Sequence, residues 1–512
     1  MRKQLTKIRL VLAGLSIASI LLGASAFLSV DHPVPSFKQA KDSYQPSEAW
    51  LLDRHGEVIA IKRINSKYRR LEWLELDRIS PSVQTTIISS EDQRFYQHSG
   101  VDWLALLASG VTNLPQYFEG KRPRGASTIT MQLAGFLNPS LLPSRSKRTL
   151  YQKIEQIVEA REIEKTWSKK EILEAYLNLA SFRGEVIGLN AASFALFGSD
   201  PASLNQSQSL IMASLLKGPS ASKEQVANRA CVLSRKISET SSCSALRNLV
   251  YASLSLQDVH ITEENIAPHL GQKLLDKSGV RVSSTLDADL QRVAIHSLHE
   301  HLMLLGDQSV KDGAAIVIDN ETGDVLAYVG SSGDLSDARE VDGVVALRQA
   351  GSTLKPFLYG RALESKKITA ASILDDSPIQ LITPMGLYVP QNYDHDFKGP
   401  VSVRTALASS LNVPAVRTLG IVGVDNFTDT LRSYGLSSVT ENGDHYGFSL
   451  ALGGVDIRLI ELTNGYRAIA NQGVLKSVRF TSSQHQKTIR NVLSKQASFI
   501  ISNILSDNSA RA

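Results

Sequence analysis

Residues 89–100 hold side chains that could perform acid–base chemistry. If this stretch is helical, Glu91, Phe95 and His98 lie at i, i+4 and i+7 and share one face, which places a carboxylate near an imidazole. A positioned carboxylate can serve as a general base. The alternative is an ordinary surface helix with a serine cap and an acidic first turn, which this segment by itself does not exclude.

A second polar segment follows and contains Arg124, Gly125, Ser127, Thr128 and Gln132. A glycine followed by hydroxyl and amide side chains can surround an anionic group with hydrogen-bond donors, and an arginine adds charge. A polar helix start is the alternative interpretation.

A third group lies in the C-terminal half, where Ser352 and Lys355 form an SxxK pattern. This spacing places both side chains on one helical face, as an activated serine nucleophile requires. Ser410 and Asn412 form an SxN pattern further along the chain.

The elements that position these residues differ between the two halves. Apolar residues at helical spacing over 150–158 predict a helix that presents Lys153 and Gln156 on a neighbouring stripe. A capping box at residues 168–171 opens a further helix, which carries Asn178. Strand-like runs at 314–318 and 325–329, joined by a turn, predict a second domain of mixed α and β structure.

Composition limits the possible class of protein. A chain of 512 residues predicts two or three domains, and 43% apolar with 21% charged residues is typical of a globular protein. A formal charge of +5 is small for this length and gives no indication of nucleic-acid binding. Cys231 and Cys243 could pair in an exported domain or remain inert thiols.

The N-terminus resembles a membrane anchor. Four basic residues precede an uncharged stretch at 10–30, close to the roughly 20 residues that cross a bilayer, with the positive flank inside. A cleaved signal peptide ending near residues 24–26 is the alternative. Residues 1–31 are therefore predicted to be a cytoplasmic tail and transmembrane helix, residues 32–47 a connector, and everything beyond them extracytoplasmic.

Four motifs in order closely resemble the peptidoglycan glycosyltransferase domain of bifunctional, class A penicillin-binding proteins. They are EDxxFxxHxG at 91–100, GxSTxTxQ at 125–132, a basic helix around Lys153, and ExYLN at 174–178. The resemblance implies a mostly α-helical, lysozyme-like domain at residues 48–233. It also implies polymerisation of lipid II into β-1,4 glycan strands at the outer face of the bacterial cytoplasmic membrane, with inversion at the anomeric carbon.

By the same resemblance Glu91 is the general base, and the departing lipid diphosphate needs cations or a metal. Mg²⁺ or Mn²⁺ is compatible with this chemistry. A structural role for His98 is weighed against one in tuning Glu91. The residues that the resemblance assigns to substrate binding are Asp92, Phe95, His98, Arg124, Gly125, Ser127, Thr128, Gln132, Lys153, Gln156 and Asn178.

One position departs from the family pattern. The third motif is usually RKxxE, whose last glutamate is the second acidic residue of the site, whereas this chain has Gln152 and Gln156 at its ends. An amide carries no charge and exchanges no proton. The C-type branch of the family is expected to share this glutamine, and Glu155 or Glu159 could stand nearby.

The sequences GSTLKP and SLNVPA resemble the transpeptidase domain of penicillin-binding proteins, an α/β fold similar to serine β-lactamases. The resemblance implies that a stem peptide or β-lactam acylates Ser352, that Lys355 takes its proton, and that Ser410 and Asn412 assist, without a cofactor. The domain is predicted at residues 301–512, after a linker at 234–300.

This second domain is predicted to be incomplete. The family uses a KTG motif on a substrate-binding strand, and none follows Asn412, since Lys487-Thr-Ile489 places isoleucine where the glycine is needed. A natural truncation, a frameshift or an edited sequence would each leave a sheet edge unpaired. Transpeptidase activity and β-lactam binding are therefore expected to be weak.

The leading hypothesis is a single-pass glycan polymerase with an impaired transpeptidase. Its expected partners are lipid II, the growing lipid-linked glycan, the cytoplasmic membrane and other cell-wall assembly proteins, but no nucleic acid. An inactive cell-wall scaffold that binds lipid II and a protein that only binds penicillin are the alternatives.

Overall fold

The computed structural model of the protein describes residues 34–106, 127–141, 149–237, 242–255, 265–306, 310–383 and 386–511. In these residues the chain forms two compact units. The first unit takes in residues 1–49, 63–262 and 277–279, and the second takes in 50–62, 263–276 and 280–512, in each case as far as they are described.

The first unit is mostly helical, as the motif resemblance predicts. Its helices are α1 (Phe37–Asp42), α2 (Pro81–Glu91), α3 (Ile129–Leu137), α4 (Leu150–Thr166), α5 (Lys169–Leu179), α6 (Leu189–Phe197), α7 (Gln206–Leu216), α8 (Lys223–Ile237) and α9 (Cys243–Ser253). Short 3-10 turns lie at Leu76–Arg78, Phe95–Gln97, Pro139–Leu141 and Pro201–Ser203. A small antiparallel hairpin consists of β3 (Ser181–Arg183) and β4 (Val186–Ile187), with strands numbered in chain order.

Helix α5 lies at the centre of this unit. The predicted capping box is confirmed, because the Ser168 hydroxyl accepts a hydrogen bond from the Glu171 amide and the Glu171 carboxylate accepts one from the Ser168 amide. All seven residues from Ile172 to Asn178 are buried, so the helix is surrounded by its neighbours. Its apolar side chains join those of α2, α3 and α7 in one core, which holds the ends of α2 and α3 in fixed positions.

The second unit contains helices and strands, most of which pair antiparallel. Its strands are β1 (Glu48–Leu52), β2 (Val58–Arg63), β5 (Arg281–Ser283), β6 (Ala315–Ile318), β7 (Val325–Val329), β8 (Leu347–Gln349), β9 (Ile373–Asp376), β10 (Leu381–Thr383), β11 (Gly386–Tyr388), β12 (Gly399–Ser402), β13 (Asp456–Arg458), β14 (Val474–Lys476) and β15 (Thr488–Asn491). Its helices are α10 (Pro268–Leu274), α11 (Ala288–Leu304), α12 (Lys355–Glu364), α13 (Val403–Ala408), α14 (Asn412–Val422), α15 (Val424–Ser433), α16 (Gly443–Tyr446), α17 (Leu459–Ala470) and α18 (Lys495–Ser506).

The strands predicted at 314–318 and 325–329 are confirmed as the antiparallel pair β6–β7. Their turn ends at Gly323, whose φ of +74° is in the left-handed region that glycine favours. Helix α12 lies in the core of this unit with most of its residues buried, so the lysine at its first position is held rigidly.

The boundaries of the units differ from the predicted domains in two places. The hairpin β1–β2 belongs mainly to the second unit because β1 pairs in parallel with β5, with Trp50 opposite Arg281. The predicted linker at 234–300 holds α9, α10 and α11, which belong to the two units. Serine and threonine in that stretch masked the helical periodicity of the residues around them.

The predicted membrane anchor at residues 10–30 lies outside the described residues. Among the residues that the structure does describe, no helix combines the length and apolar character needed to cross a bilayer.

Candidate functional site

Glu91 is the last residue of α2 and lines a cavity of about 910 Å³. The helix ends there because Asp92 adopts an extended conformation with φ of −158°. Residues 89–100 do not form one helix, so the condition under which Glu91 and His98 would share a helix face is not met. Because the helix ends at this residue, the carboxylate of Glu91 lies at the cavity while the residues after it run in another direction.

The residues after Glu91 hold the loop in place. The carboxylate of Asp92 accepts hydrogen bonds from Nε2 of His98 at 2.9 Å and from the amide of Ile129 at 3.0 Å, at the start of α3. Phe95 is fully buried in the core. Asp92, Phe95 and His98, all predicted to bind substrate, thus lie outside the described lining of the Glu91 cavity and support its wall.

Thr128 and Gly100 join this loop to α3. The hydroxyl of Thr128 accepts a hydrogen bond from the amide of Met131 at 3.1 Å, which caps α3, and donates one to the carbonyl of Gly100 at 2.5 Å. Gly100 has a φ of +88°, and a Cβ there would lie 2.6 Å from the carbonyl oxygen of Ala160. The last glycine of the EDxxFxxHxG motif is therefore required by the close approach of α4.

Gln132 contacts the candidate base directly. Its Nε2 donates to Oε2 of Glu91 at 3.2 Å, and its Oε1 accepts from the hydroxyl of Tyr176 at 3.2 Å. The hydroxyl of Ser90 donates to Oε1 of Glu91 at 3.3 Å. Each carboxylate oxygen thus has one hydrogen bond and a further lone pair that can accept a proton.

Burial raises the pKa of Glu91 above its usual value, while the hydrogen bond from Gln132 and the ammonium of Lys217 act in the opposite direction. A raised pKa makes the ionised carboxylate a stronger base. This effect is typical of a group that transfers protons at neutral pH.

Three cations, Lys217, Arg229 and Lys236, line the same cavity. Lys217 is the residue after α7, and the other two lie on one face of α8 with Val232 and Leu233 between them. Sequence analysis missed this wall. The signal was present, because residues 229, 232, 233 and 236 have the i, i+3, i+4, i+7 spacing of one helix face.

Gln156 is completely buried at the position of the expected second carboxylate. Its Nε2 donates to the carbonyl oxygen of Met131 at 2.5 Å, and its Oε1 accepts from Nζ of Lys153 at 3.1 Å. Lys153 in turn donates to the hydroxyl of Ser127, on the cavity wall, at 2.7 Å. A carboxylate at position 156 would point an oxygen at the carbonyl of Met131, so this position suits a donor.

The predicted stand-ins for that carboxylate, Glu155 and Glu159, face elsewhere. Glu159 accepts a hydrogen bond from Asn138 at 2.6 Å, and Glu155 contacts Tyr151 on the outside of α4. Neither lies among the described residues of the cavity wall. Arg124 and Gly125, also predicted to bind substrate, lie outside the described residues.

Asn178 and Glu174 of the ExYLN motif fix a segment of main chain. Asn178 accepts from the amide of Leu74 and donates to its carbonyl, both at 2.8 Å, and Glu174 accepts from Trp73 and from the amide of Leu76. Asn178 is buried and lies outside the described cavity wall, so its contacts are those of a structural residue.

In the second unit, Lys355 of the SxxK pattern lies beside Ser410 and Asn412 of the SxN pattern. Nζ of Lys355 donates to the hydroxyl and carbonyl oxygens of Ser410 at 3.2 and 2.6 Å and to Oδ1 of Asn412 at 2.7 Å. Burial lowers the pKa of Lys355 to about 8. Ser410 has a φ of +55°, a strained conformation for a residue with a side chain. Ser352 is exposed in the 3-10 turn Gly351–Leu354 that leads into α12.

A larger cavity of about 1110 Å³ lies in the second unit between α11 and the segment after β7. Its lining includes neither Ser352 nor Lys355, so its size does not mark the chemistry that the motifs indicate. Among the described residues no group of three or more histidine, cysteine, aspartate or glutamate side chains is placed to hold a metal ion.

Comparison with protein families assigns both units. The family model described as Transglycosylase matches residues 56–238, and the model described as Penicillin binding protein transpeptidase domain matches residues 313–512. The first match contains Glu91 and its cavity, and the second contains Ser352, Lys355, Ser410 and Asn412.

Individual relatives agree with these assignments. The chain is 33% identical over 453 residues to penicillin-binding protein 1C of Escherichia coli (84% of this chain, 55% of the relative). It is 28% identical over 491 residues to penicillin-binding protein 1F of Bacillus subtilis (89% of this chain, 65% of the relative). The chain therefore spans less than two thirds of the length of these two curated relatives.

The fold is similar to that of a solved structure. The crystal structure of penicillin-binding protein 1A from Haemophilus influenzae superimposes with a TM-score of 0.55 at 16% identity, over 91% of this chain and 80% of that chain. At this identity the likeness concerns the fold alone. The two family-model matches in their order along the chain, together with the sequence relatives, show that this protein belongs to the class A penicillin-binding proteins.

Proposed function

We propose that the chain is a peptidoglycan glycosyltransferase that polymerises lipid II into β-1,4 glycan strands and releases lipid diphosphate, with Glu91 as general base. One observation carries the proposal. In the region that the transglycosylase model matches, a buried carboxylate with a raised pKa shares a cavity with Lys217, Arg229 and Lys236.

The chemistry follows from this arrangement. A hydroxyl of the acceptor sugar must lose its proton as its oxygen attacks the anomeric carbon of the donor, and an oxygen of Glu91 takes that proton. Gln132 and Ser90 hold the carboxylate in one orientation through their hydrogen bonds. Attack from the face opposite the leaving group inverts the anomeric centre.

The leaving diphosphate gains negative charge as the bond breaks, and cations stabilise that charge. Lys217, Arg229 and Lys236 on one wall, and Lys153 through its contact with Ser127, are placed to supply it. Val232 and Leu233 lie between two of the cations on α8, where they suit an apolar part of a lipid-linked substrate. Arg124 remains a proposed contributor from the resemblance.

A protein-held divalent cation does not fit the donor set that the structure describes. Within the described lining, Glu91 is the one carboxylate and three cations accompany it, whereas Mg²⁺ and Mn²⁺ prefer several oxygen ligands. We therefore assign no step to a metal held by these residues. Mg²⁺ or Mn²⁺ is proposed only as an ion that the substrate diphosphate brings with it.

We further propose that residues 10–30 anchor the chain in the bacterial cytoplasmic membrane by a single span, with both units outside. A substrate whose lipid tail stays in the bilayer makes such an anchor useful, because enzyme and substrate then diffuse in one plane. Other cell-wall assembly proteins are the expected partners of a protein held there.

Glycan synthesis from labelled lipid II by the purified full-length chain tests the function. Glu91→Gln should reduce the polymerisation rate by about 10²–10⁴-fold, because the amide keeps the shape of the side chain but cannot take the proton. Glu224→Gln, the same change at an exposed residue of α8, is the matched control and should leave the rate unchanged.

The outcomes separate the candidate functions. A Glu91→Gln rate within tenfold of the parent would remove Glu91 from its assigned role. No polymer from either protein, with lipid II still bound, would instead support a cell-wall scaffold.

For the second unit we propose acylation of Ser352 by a stem peptide or a β-lactam, with Lys355 as its base. The hydrogen bonds from Lys355 to Ser410 and Asn412, the two polar residues of the SxN motif, support this proposal.

A further inference from the structure

The two cysteines of the chain lie beside each other in the first unit. Cys231 is on α8 and Cys243 is the first residue of α9. The thiol of Cys231 donates a hydrogen bond to the carbonyl oxygen of Cys243 at 3.5 Å, and both residues are free thiols in this structure. The sequence placed them on either side of a serine-rich stretch and left their pairing open.

Their environments differ in a way that suits stepwise oxidation. Cys231 is buried, and its burial together with the neighbouring Cys243 thiol raises its pKa to about 11. Cys243 is half-buried, and its sulfur accepts a hydrogen bond from the guanidinium of Arg235 at 3.9 Å. A reagent from solvent therefore reaches Cys243 first, and Cys231 is the resolving thiol.

We propose that Cys231 and Cys243 form an intramolecular disulfide that fixes α8 to α9. The oxidant is a disulfide, such as oxidised glutathione, which is reduced to two thiols. The thiolate of Cys243 attacks one sulfur of the oxidant, gives a mixed disulfide and releases the first thiol. The sulfur of Cys231 then loses its proton and attacks the sulfur of Cys243, and the second thiol of the oxidant leaves. Two electrons and two protons pass from the cysteines to the oxidant.

The bond would act on the wall of the Glu91 cavity. Helix α8 presents Arg229, Val232 and Lys236 to the cavity, while Cys231 faces α9 behind them. A covalent link to α9 limits how far this wall can move. The link also constrains the unfolded chain over the segment between the two cysteines. Formation of the disulfide does not depend on the proposed glycosyltransferase activity.

The test uses the folded full-length chain treated with oxidised glutathione, followed by denaturation and alkylation with N-ethylmaleimide. Intact mass should fall by about 2 Da relative to the reduced chain, with no maleimide bound, since two protons are lost. The midpoint of thermal unfolding of the first unit should rise by roughly 5 °C on oxidation.

Cys243→Ser and Cys231→Ala are the variants, and each should leave one alkylated thiol and no oxidation-dependent rise in unfolding temperature. Oxidation of the denatured chain is the control for proximity that depends on folding, and the disulfide should form at least tenfold more slowly in denaturant. Two alkylated thiols in the folded chain after oxidation, a mixed glutathione adduct as the final product, or equal rates in both conditions would each overturn the proposal. A failed polymerisation assay would leave all of these readouts unchanged.

Discussion

Burial shifts the pKa values of the key residues in the two candidate sites in opposite directions. At Glu91 burial raises the pKa of an acid, and at Lys355 burial lowers the pKa of an ammonium to about 8. Both changes disfavour the charged form, because a charge loses its hydration when it leaves water. Lys355 can therefore exchange a proton near pH 8, and the ionised carboxylate of Glu91 becomes a stronger base.

The neighbours of the two groups differ. Glu91 lines a cavity that Lys217, Arg229 and Lys236 also line, so room and positive charge for a large anionic ligand are present. Lys355 donates three hydrogen bonds to Ser410 and Asn412, while Ser352 is exposed. The first site therefore combines a buried carboxylate with a cation-lined cavity, whereas the second presents mainly a buried lysine and its hydrogen-bond acceptors.

The largest expected effect concerns the second site. Lys355→Met should reduce the rate of labelling by fluorescent penicillin by about 10²–10⁴-fold, because it removes the amine that the SxxK pattern assigns as the base for Ser352. In the parent chain labelling should rise with pH up to about 8 and then level off, since only the neutral amine of Lys355 accepts a proton.

Gel fluorescence at a series of pH values measures this labelling, and Ser352→Ala identifies the labelled residue. Glycan polymerisation by the Lys355→Met chain should stay within twofold of the parent. Labelling that does not change between pH 6 and 9 would contradict the assigned role of Lys355.

The next effect tests why a glutamine suits position 156. Gln156→Glu should lower the free energy of unfolding by about 1–3 kcal/mol at neutral pH, because a carboxylate there loses the donor that pairs with Met131. The pKa of the new carboxyl should be raised, since its protonated form can still donate. The destabilisation should therefore be absent below the ordinary glutamate pKa and grow as pH rises through the raised value.

Thermal unfolding between pH 4 and 8 measures this change. Gln208→Glu is the matched control, because Gln208 is part of a capping box in which glutamate is equally suitable. Equal stability of Gln156→Glu and the parent at pH 8 would show that the site accepts a second carboxylate.

The smallest effect concerns the electrostatics of the first site. The ammonium of Lys217 lowers the pKa of Glu91, so Lys217→Met should raise that pKa and move the acidic limb of the kcat/KM profile to higher pH. The displacement should be less than about one pH unit, since Lys217 is exposed and solvent screens its charge.

The pH dependence of polymerisation between pH 5 and 8 measures the shift, and Lys170→Met, an exposed lysine of α5, is the control. An acidic limb that moves to lower pH would contradict the electrostatic effect of Lys217 on the pKa of Glu91.

Much of the fold could be predicted from local patterns. The capping box at Ser168, the strands β6 and β7 and the helix α4 follow from side-chain periodicity and from capping and turn residues, which act over a few positions. Local patterns did not decide whether residues 89–100 form one helix. Helix α2 ends at Glu91, and the carboxylate of the next residue, Asp92, accepts hydrogen bonds from His98 and from the amide of Ile129 at the start of α3. The bond from Ile129 joins residues far apart in sequence.

The sequence by itself determined the candidate chemical groups. The types and order of Glu91, Gln132, Ser352 and Lys355 identify the family pattern, and a covalent sequence is sufficient for that. Only the tertiary structure decided their surroundings: the cations that share a cavity with Glu91, the buried donor role of Gln156 and the proximity of Cys231 to Cys243. The physical reason is that burial and distance, which set pKa and reactivity, depend on packing between segments remote in the chain.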